Sequence, residues 1–239
     1  TKAGRLIFEE ASKMLHRIED VQASARNVED ALAGSLNVGT YESLAEYLWP
    51  DFLLRLSSAH PHLQVSVRTS LNRNPKVDLL SGRIDLLVDA EPQTKAELTS
   101  WPLYSDRFGF YVSSDDNATE FTPMTVGHTP IIFVQGAFDE NGLTIENHLA
   151  KAGYEFERQY CFDSFSTVKR LATRKMGVAV LPIRLAEEDK NKRMIKRVSL
   201  KGLSPEGFGR HTIYATVSGE NDKDLRIKKL VGLLRGHFK

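Results

Sequence analysis

Gly34-Ser35-Leu36-Asn37-Val38-Gly39-Thr40-Tyr41-Glu42-Ser43 is the stretch whose reading decides the fold. Leu36 and Val38 point one way and Asn37 the other, the period of a short strand, and Gly39 lets the chain turn before a helical pattern opens at Leu44. A strand therefore ends where a helix begins. Thr40, Tyr41, Glu42 and Ser43 sit at that junction, where free backbone N–H groups and the positive end of a helix dipole favour a small anionic or polar ligand. The same place suits a helix cap, so Thr40 and Ser43 each have two readings, capping side chain or ligand contact.

Downstream, residues 44–59 read as one helix, with Leu44, Leu48, Phe52 and Leu56 on one face, Pro50 as an interior irregularity and His60-Pro61 as the stop. Residues 63–67 alternate as a half-buried strand, 70–75 are a polar loop, and 75–81 form a short helix closed by Gly82. Ile84-Asp85-Leu86-Leu87-Val88 is a nearly continuous apolar run, the mark of a buried parallel strand. Strand, helix, strand, helix, strand makes an α/β lobe with right-handed crossovers.

A polar connection, 91–100, and Trp101-Pro102-Leu103 lead to further strands at 108–112 and 130–134. A loop at 135–141, a helix at 143–152 and a strand at 156–162 follow. Asp163-Ser164 caps a helix running to Lys175, and Gly177 to Pro182 reads as a turn, a buried strand and a stop. The result is a second α/β lobe. Basic and polar residues at 187–197, a loop at 201–209, a strand at 212–217 and a final amphipathic helix with Leu225, Leu230 and Leu234 complete the chain.

Upstream of Gly34, the apolar positions Ile7, Ala11, Met14, Ile18, Val21, Ala25, Val28 and Leu32 recur at alternating steps of four and three. That is a heptad seam on an otherwise charged helix, and one narrow stripe needs one partner: the protein's own body or a second copy of the chain.

The 239 residues, 41% hydrophobic and 26% charged, suffice for two small lobes. A net charge of +1 supplies no global basic field for nucleic acid or membrane, although local basic patches stay open. The single cysteine, Cys161, cannot close an internal disulfide and lies in an alternating strand, where burial is expected. No apolar run has the length of a membrane span and the N-terminus is no apolar signal sequence, so a cytoplasmic protein without membrane contact is expected.

Hard catalytic signatures are absent from the sequence: no Gly-x-Ser-x-Gly, no P-loop, no His-Glu-x-x-His, no Gly-x-Gly-x-x-Gly. His60 and His62 lack the further ligands of a zinc site, so no metal and no cofactor is expected. Asp85 reads as structural. The basic residues Lys190, Lys192, Arg193, Lys196 and Arg197 read as a solvated face. In open α/β sheets ligands bind just beyond the C-terminal ends of the strands. That rule selects Thr40, Tyr41, Glu42, Ser43, Ser70, Asn72 and, more weakly, Asp89 in the first lobe. In the second it selects Gln135, Gly136, Ser164 and Phe165, with Ser164 also a candidate helix cap. Two such rims facing each other would make a cleft for one small ligand.

The order of features resembles the C-terminal part of a LysR-type transcriptional regulator. The resemblance rests on Thr1-Lys2-Ala3-Gly4 opening the long helix, Gly34 to Gly39, Pro50-x-Phe52 with His60-Pro61, Leu80 to Val88, Pro102-Leu103 and Met176 to Pro182. It implies a periplasmic-binding-protein-like (type 2) effector domain preceded by a long dimerisation helix, with the linker at 1–33, lobe I at 34–105 plus 212–239 and lobe II at 106–211. It also implies a small-molecule effector, a homodimer or homotetramer, no enzymatic activity, and DNA contact only through a winged helix-turn-helix that is not in these residues. By position the family's pocket takes Ser43, Asn72, the 135–144 loop and the Ser164-Phe165 helix start. Glu42 argues against a strongly anionic effector unless Arg73 or another cation offsets it. The family's redox-sensing branch uses two cysteines, which Cys161 alone cannot supply. A solute-binding protein of the same fold is the alternative, and an enzyme on this fold a further one; the first would want an export signal and no heptad helix.

Overall fold

The structure, a computed structural model, describes residues 1, 3, 4, 7, 8, 10, 11, 14, 15, 18, 32–69, 74–91, 97–126, 128–188, 194–219 and 221–238. In chain order its elements begin with β1 (Gly34–Thr40), α1 (Glu42–Tyr47), α2 (Trp49–Ala59), β2 (Leu63–Arg68), α3 (Pro75–Leu80), β3 (Leu86–Asp89) and β4 (Leu98–Ser113). There follow β5 (Glu120–Phe121), β6 (Ile131–Val134), α4 (Ile145–Lys151), β7 (Gln159–Phe162), α5 (Phe165–Thr173), β8 (Val178–Pro182) and α6 (Ile183–Glu187). The chain closes with β9 (Ile195–Leu200), β10 (Phe208–Ser218), a 3-10 turn (Asn221–Lys223) and α7 (Leu225–His237). It divides into two compact units: Thr1–Tyr104 with Ile213–Lys239 is unit 1, and Ser105–Thr212 is unit 2. Both divisions fall inside long strands, β4 and β10.

In unit 1, β1 lies parallel between β2 and β3, with Leu36 opposite Val65 and Val38 opposite Val67 on one side and Leu86 on the other. β3 pairs antiparallel with β10, Ala215 facing Val88. Leu86, Leu87 and Val88 have no exposed surface, so their strand carries an apolar run without alternation. Asp85 is structural, as its sequence context suggests. Its N–H donates to Asn37 O at 2.7 Å and its Oδ2 accepts from Asn37 N at 2.8 Å, holding the chain against β1 where β3 starts.

The single helix expected over 44–59 is two. Leu48 N–H closes α1 onto Leu44 O at 2.9 Å, and Pro50 stands in the first turn of α2. Proline has no N–H to give and fits the first turn of a helix, so it opens a new helix instead of bending an old one. Trp49, Phe52 and Leu56 are buried in the same cluster as Leu36, Val38 and Leu86. Trp49 and Phe52 meet edge to face at 5.8 Å and 82°. From the other end of the chain, α7 adds Ile227, Leu230, Val231 and Leu234 to that cluster, its start capped by Asp224, which accepts from Arg226 N at 2.8 Å.

In unit 2, β6 lies parallel between β7 and β8, and β8 pairs antiparallel with β4, Phe108 opposite Pro182. β9 lies antiparallel on β4, and β5 parallel on β9. Phe110, Phe133, Ile145, Val178, Val180 and Phe208 are in its core. Gly177 is required where it stands. At φ 154 a side chain there would collide with Pro130 O, the carbonyl that accepts Val178 N at 2.8 Å.

Several boundaries differ from the sequence expectation. β4 starts at Leu98, so Trp101-Pro102-Leu103 lies within a strand, and β5, β9 and α6 have no counterpart among the expected elements. The strand expected over 156–162 is shortened to β7, and Tyr154 and Phe156 ahead of it are core residues. Cys161 is exposed, against expectation. Its strand alternates outward and inward, and Tyr160 and Phe162 take the partly buried positions. Burial, followed by the charge of Glu146, still pushes its thiol up, so it is no ready thiolate.

The described residues of the N-terminal segment from Ala3 to Ile18 are helical. Their apolar side chains face outward: Ile7, Phe8, Met14, Leu15 and Ile18 are 68, 73, 63, 62 and 53% exposed. The seam positions Val21, Ala25 and Val28 lie outside the described residues, and Leu32 is buried in unit 1. No described helix is long and apolar enough to cross a membrane.

Candidate functional site

Parallel neighbours share a direction, so the C-terminal ends of β1, β2 and β3 lie along one edge of unit 1. Those of β6, β7 and β8 lie along one edge of unit 2. The described residues among those chosen from the sequence fall on these two edges. Ser70 and Asn72, with Arg73, lie outside the described residues.

On the unit 1 edge Thr40 is fully buried and its Oγ1 donates to Val88 O at 3.0 Å, tying β1 to β3. It does not cap the helix, and neither does Ser43. The residue before α1 is Tyr41, in extended conformation and without a side-chain capping bond. Tyr41 is 45% exposed. Partial burial, then the charges of Asp89 and Glu91, raise its phenol, so it stays a neutral donor at the tip of β1. Asp89 is buried at the end of β3, and Glu42 is exposed at the start of α1. Around Tyr41 the described side chains are acidic, while Arg68, at the end of β2, directs its guanidinium to Asn37 Oδ1 at 3.3 Å.

On the unit 2 edge Ser164 caps α5, its Oγ accepting from Thr167 N at 3.3 Å. Phe165 lies 6.0 Å from Phe108, ring over ring. Gln135 is exposed, with its N–H on Phe162 O at 3.0 Å, and Gly136 at φ 75 supplies the turn into the following loop.

That loop, which the resemblance takes whole at 135–144, is organised by a residue not singled out from the sequence. Asp139 is buried; its Oδ1 accepts from Asn141 N at 2.8 Å and Leu143 N at 2.9 Å, and its Oδ2 lies 2.9 Å from His148 Nε2. Burial works to raise its carboxyl, but the two amides and His148 outweigh it and hold the group below the usual range. Asp139-Glu140-Asn141-Gly142 is a turn signal of the kind in which an aspartate folds the chain on itself, so this role was legible.

A second buried pair had no local signal, because its members are far apart in sequence. Asp106 Oδ1 accepts from Arg107 N at 2.8 Å and Oδ2 from Arg184 N at 3.2 Å, so a β4 side chain ties down the first turn of α6. His211, on β10, is buried, stacks on Phe108 at 4.5 Å and has its Nδ1 3.3 Å from Gly209 O. Burial lowers the imidazole, the Asp106 charge only partly offsetting it, and burial raises the Asp106 carboxyl.

Away from both edges an apolar hollow of about 300 Å³ opens between α2 and α7, lined among others by Phe52, Leu56, Leu233 and His237. Among the described residues no group of three or more His, Cys, Asp or Glu side chains is placed to hold a metal ion.

The sequence model of the family described as LysR substrate binding domain matches residues 29–239. The probable cat1 operon transcriptional activator of Acinetobacter lwoffii is 25% identical over 191 residues, covering 76% of this chain and 62% of that protein. HTH-type transcriptional regulator YtlI of Bacillus subtilis is 27% identical over 120 residues, 50% of this chain and 39% of that protein. OxyR of Escherichia coli is 20% identical over 190 residues, 76% and 60%. The chain thus spans between 39 and 62% of the length of these relatives. Among solved structures, HinK, a LysR family regulator from Pseudomonas aeruginosa, matches with a TM-score of 0.68 at 16% identity, over 99% of this chain and 80% of that one. Full-length OxyR from P. aeruginosa matches with a TM-score of 0.65 at 16% identity, over 99% and 75%. The MetR regulatory domain of N. meningitidis matches at 0.59 and 13% identity, over 84% and 92%. The fold is therefore that of LysR regulatory domains, the two-lobed periplasmic-binding-protein-like architecture.

The buried imidazole predicts a pH dependence. A histidine whose folded-state value lies below its ordinary 6.5 contributes stability that is present above that value and is lost as pH falls through the folded one. The unfolding free energy of wild type from urea curves should fall between pH 7 and pH 5, by at most about 1.4 kcal/mol per pH unit from this group. His211→Gln should show a shallower fall. A steeper fall in the variant would mean that the folded protein favours charged His211, and an equal one that folding leaves its titration unchanged; either contradicts the buried neutral imidazole.

Proposed function

The chain belongs to the family of LysR substrate-binding domains, and on that premise we propose that it is the effector-sensing module of a LysR-type transcriptional regulator. In this reading a small molecule is held by Thr40, Tyr41, Glu42 and Ser43 on the unit 1 edge, by Ser70 and Asn72, which follow β2 in the sequence, and by Gln135, Gly136, Ser164 and Phe165 on the unit 2 edge. The observation that carries it is the parallel order of β1 to β3 and of β6 to β8, which collects polar residues distant in sequence at strand C-termini. Binding, not turnover, is the activity proposed. To act as a signal the molecule has to favour one arrangement of the protein over another, and a few kcal/mol of differential contact suffices.

The partner proposed is a second copy of the chain, in a dimer or a tetramer. Supporting it is the outward row of Ile7, Phe8, Met14, Leu15 and Ile18, five large apolar side chains each more than half exposed. DNA contact is assigned to residues beyond these 239, and the working compartment is the one that holds the DNA, the cytoplasm. Some relatives are named as hydrogen peroxide-inducible activators. Cys161, the one cysteine here, has no second thiol in the chain to close a disulfide with, which favours a bound effector over a dithiol switch.

A metabolite panel screened by thermal shift tests the site. A true effector at about a hundred times its dissociation constant adds roughly 2.7 kcal/mol, several degrees of melting temperature. The shift should shrink in Ser43→Ala and in Phe165→Ala, provided that their unliganded urea curves match wild type. A binder that stabilises both variants as well as wild type refutes the placement. Sedimentation tests the pairing: wild type should be dimeric or larger and Met14→Glu with Ile18→Glu should shift to monomer. A wild-type monomer at micromolar concentration contradicts it.

A further inference from the structure

Unit 1 carries an apolar hollow and, elsewhere on its surface, an apolar stripe that a two-helix seam does not use. Phe52, Leu56 and Ala59 from α2 and Gly232, Leu233 and Gly236 from α7 line the hollow, whose volume is about 300 Å³. The stripe is Phe8 and Leu15 on the N-terminal helix, 73 and 62% exposed. We propose that the hollow receives this stripe from another copy of the chain, in a contact separate from the heptad seam that joins two seam-paired dimers into a tetramer. The proposal rests on the pairing reading above and goes beyond it by naming the surface that the third chain meets.

The direction of the stripe is the first support. At about 3.6 residues per turn, Ile7, Ala11, Met14 and Ile18 fall along one line of the helix, and Phe8 and Leu15 fall about a quarter turn away from it. A two-stranded coil buries the first line and leaves the second pointing sideways, past the partner helix. Phe8 and Leu15 are exposed on their own chain as well. Two large apolar side chains therefore stay in water after the seam has formed, and burying them takes a third chain.

The shape of the hollow is the second. Phe8 and Leu15 are two helical turns apart, about 10.5 Å along the axis, and Phe52 and Ala59 on the α2 wall have the same spacing. The α7 wall is bare. Gly232 and Gly236 lie one turn apart, and a first side-chain carbon at either would meet nothing within 4 Å. Packing inside the chain therefore does not call for glycine at these two places, and glycine is a poorer helix residue than alanine. Bare backbone does suit the close approach of a second helix, and Leu233, between the two glycines, is 37% exposed to meet it. One such contact is small. Seam pairing presents it more than once between the same two dimers, so that avidity holds the tetramer, and exchange in both directions closes it. Breaking the seam then dissolves the assembly to monomers, in keeping with the outcome expected of Met14→Glu with Ile18→Glu.

Sedimentation of the 239-residue chain across the micromolar range tests the contact. Wild type should reach a tetramer. Phe8→Ala with Leu15→Ala removes the stripe, leaves the seam intact and should stop at the dimer, with the dimer–tetramer dissociation constant raised roughly tenfold or more. Gly232→Leu with Gly236→Leu fills the hollow from the α7 side and should stop at the dimer too, with a urea midpoint no lower than that of wild type because leucine favours the helix. A tetramer that survives the Phe8 and Leu15 substitutions overturns the proposal, and so does one that survives the glycine substitutions. A wild type that goes no further than a dimer, and that Met14→Glu with Ile18→Glu turns into a monomer, leaves the pairing standing and removes the hollow from it. A wild-type monomer removes both.

Discussion

Parallel pairing of buried strands is the constraint on which both candidate edges depend. β1 has a parallel neighbour on each side and Leu36 and Val38 in the core, so its backbone bonds go to β2 and β3. β6, with β7 and β8, repeats the arrangement in unit 2. A strand bounded in this way has little to offer a ligand along its length. Function is pushed to the ends, where the ladder stops and the next helix has not yet taken up its first N–H groups. Thr40 shows the coupling in one residue: its side chain fastens β1 to β3 from inside, and its position delivers Tyr41 to the edge.

The two edges carry different charged groups. Unit 1 places Asp89, Glu91 and Glu42 around Tyr41, and the first two raise its phenol after burial has done so. Unit 2 places Arg107, Arg184 and Arg210 around Asp106, with Glu206 facing Arg107 and Glu140 facing Arg210.

Much of the architecture was legible because the strands carry it in their periodicity. Leu86-Leu87-Val88 has no polar gap and is buried on both faces; 63–67 alternates and is half-exposed. The differences are local. Pro50 reads as an irregularity inside one helix, whereas a proline in that position starts another. The general habit of cysteine puts Cys161 inside, and two aromatic neighbours take the inward positions instead. Ser164 is a cap, one of its two readings, while Thr40 and Ser43 are not. The arginine cavity was not legible at all. Arg107, Arg184 and Arg210 stand on three elements far apart in sequence and meet because β4 has β8 on one side and β10 on the other, pairings that no window of residues announces.

A crystal structure of the 239-residue chain with the small molecule that most raises its melting temperature is the most direct test of where this protein senses. Electron density in contact with residues 40–43 and with Gln135 or Phe165 is the predicted result. A molecule seated in the apolar hollow between α2 and α7, with both strand-end edges untouched, would contradict it.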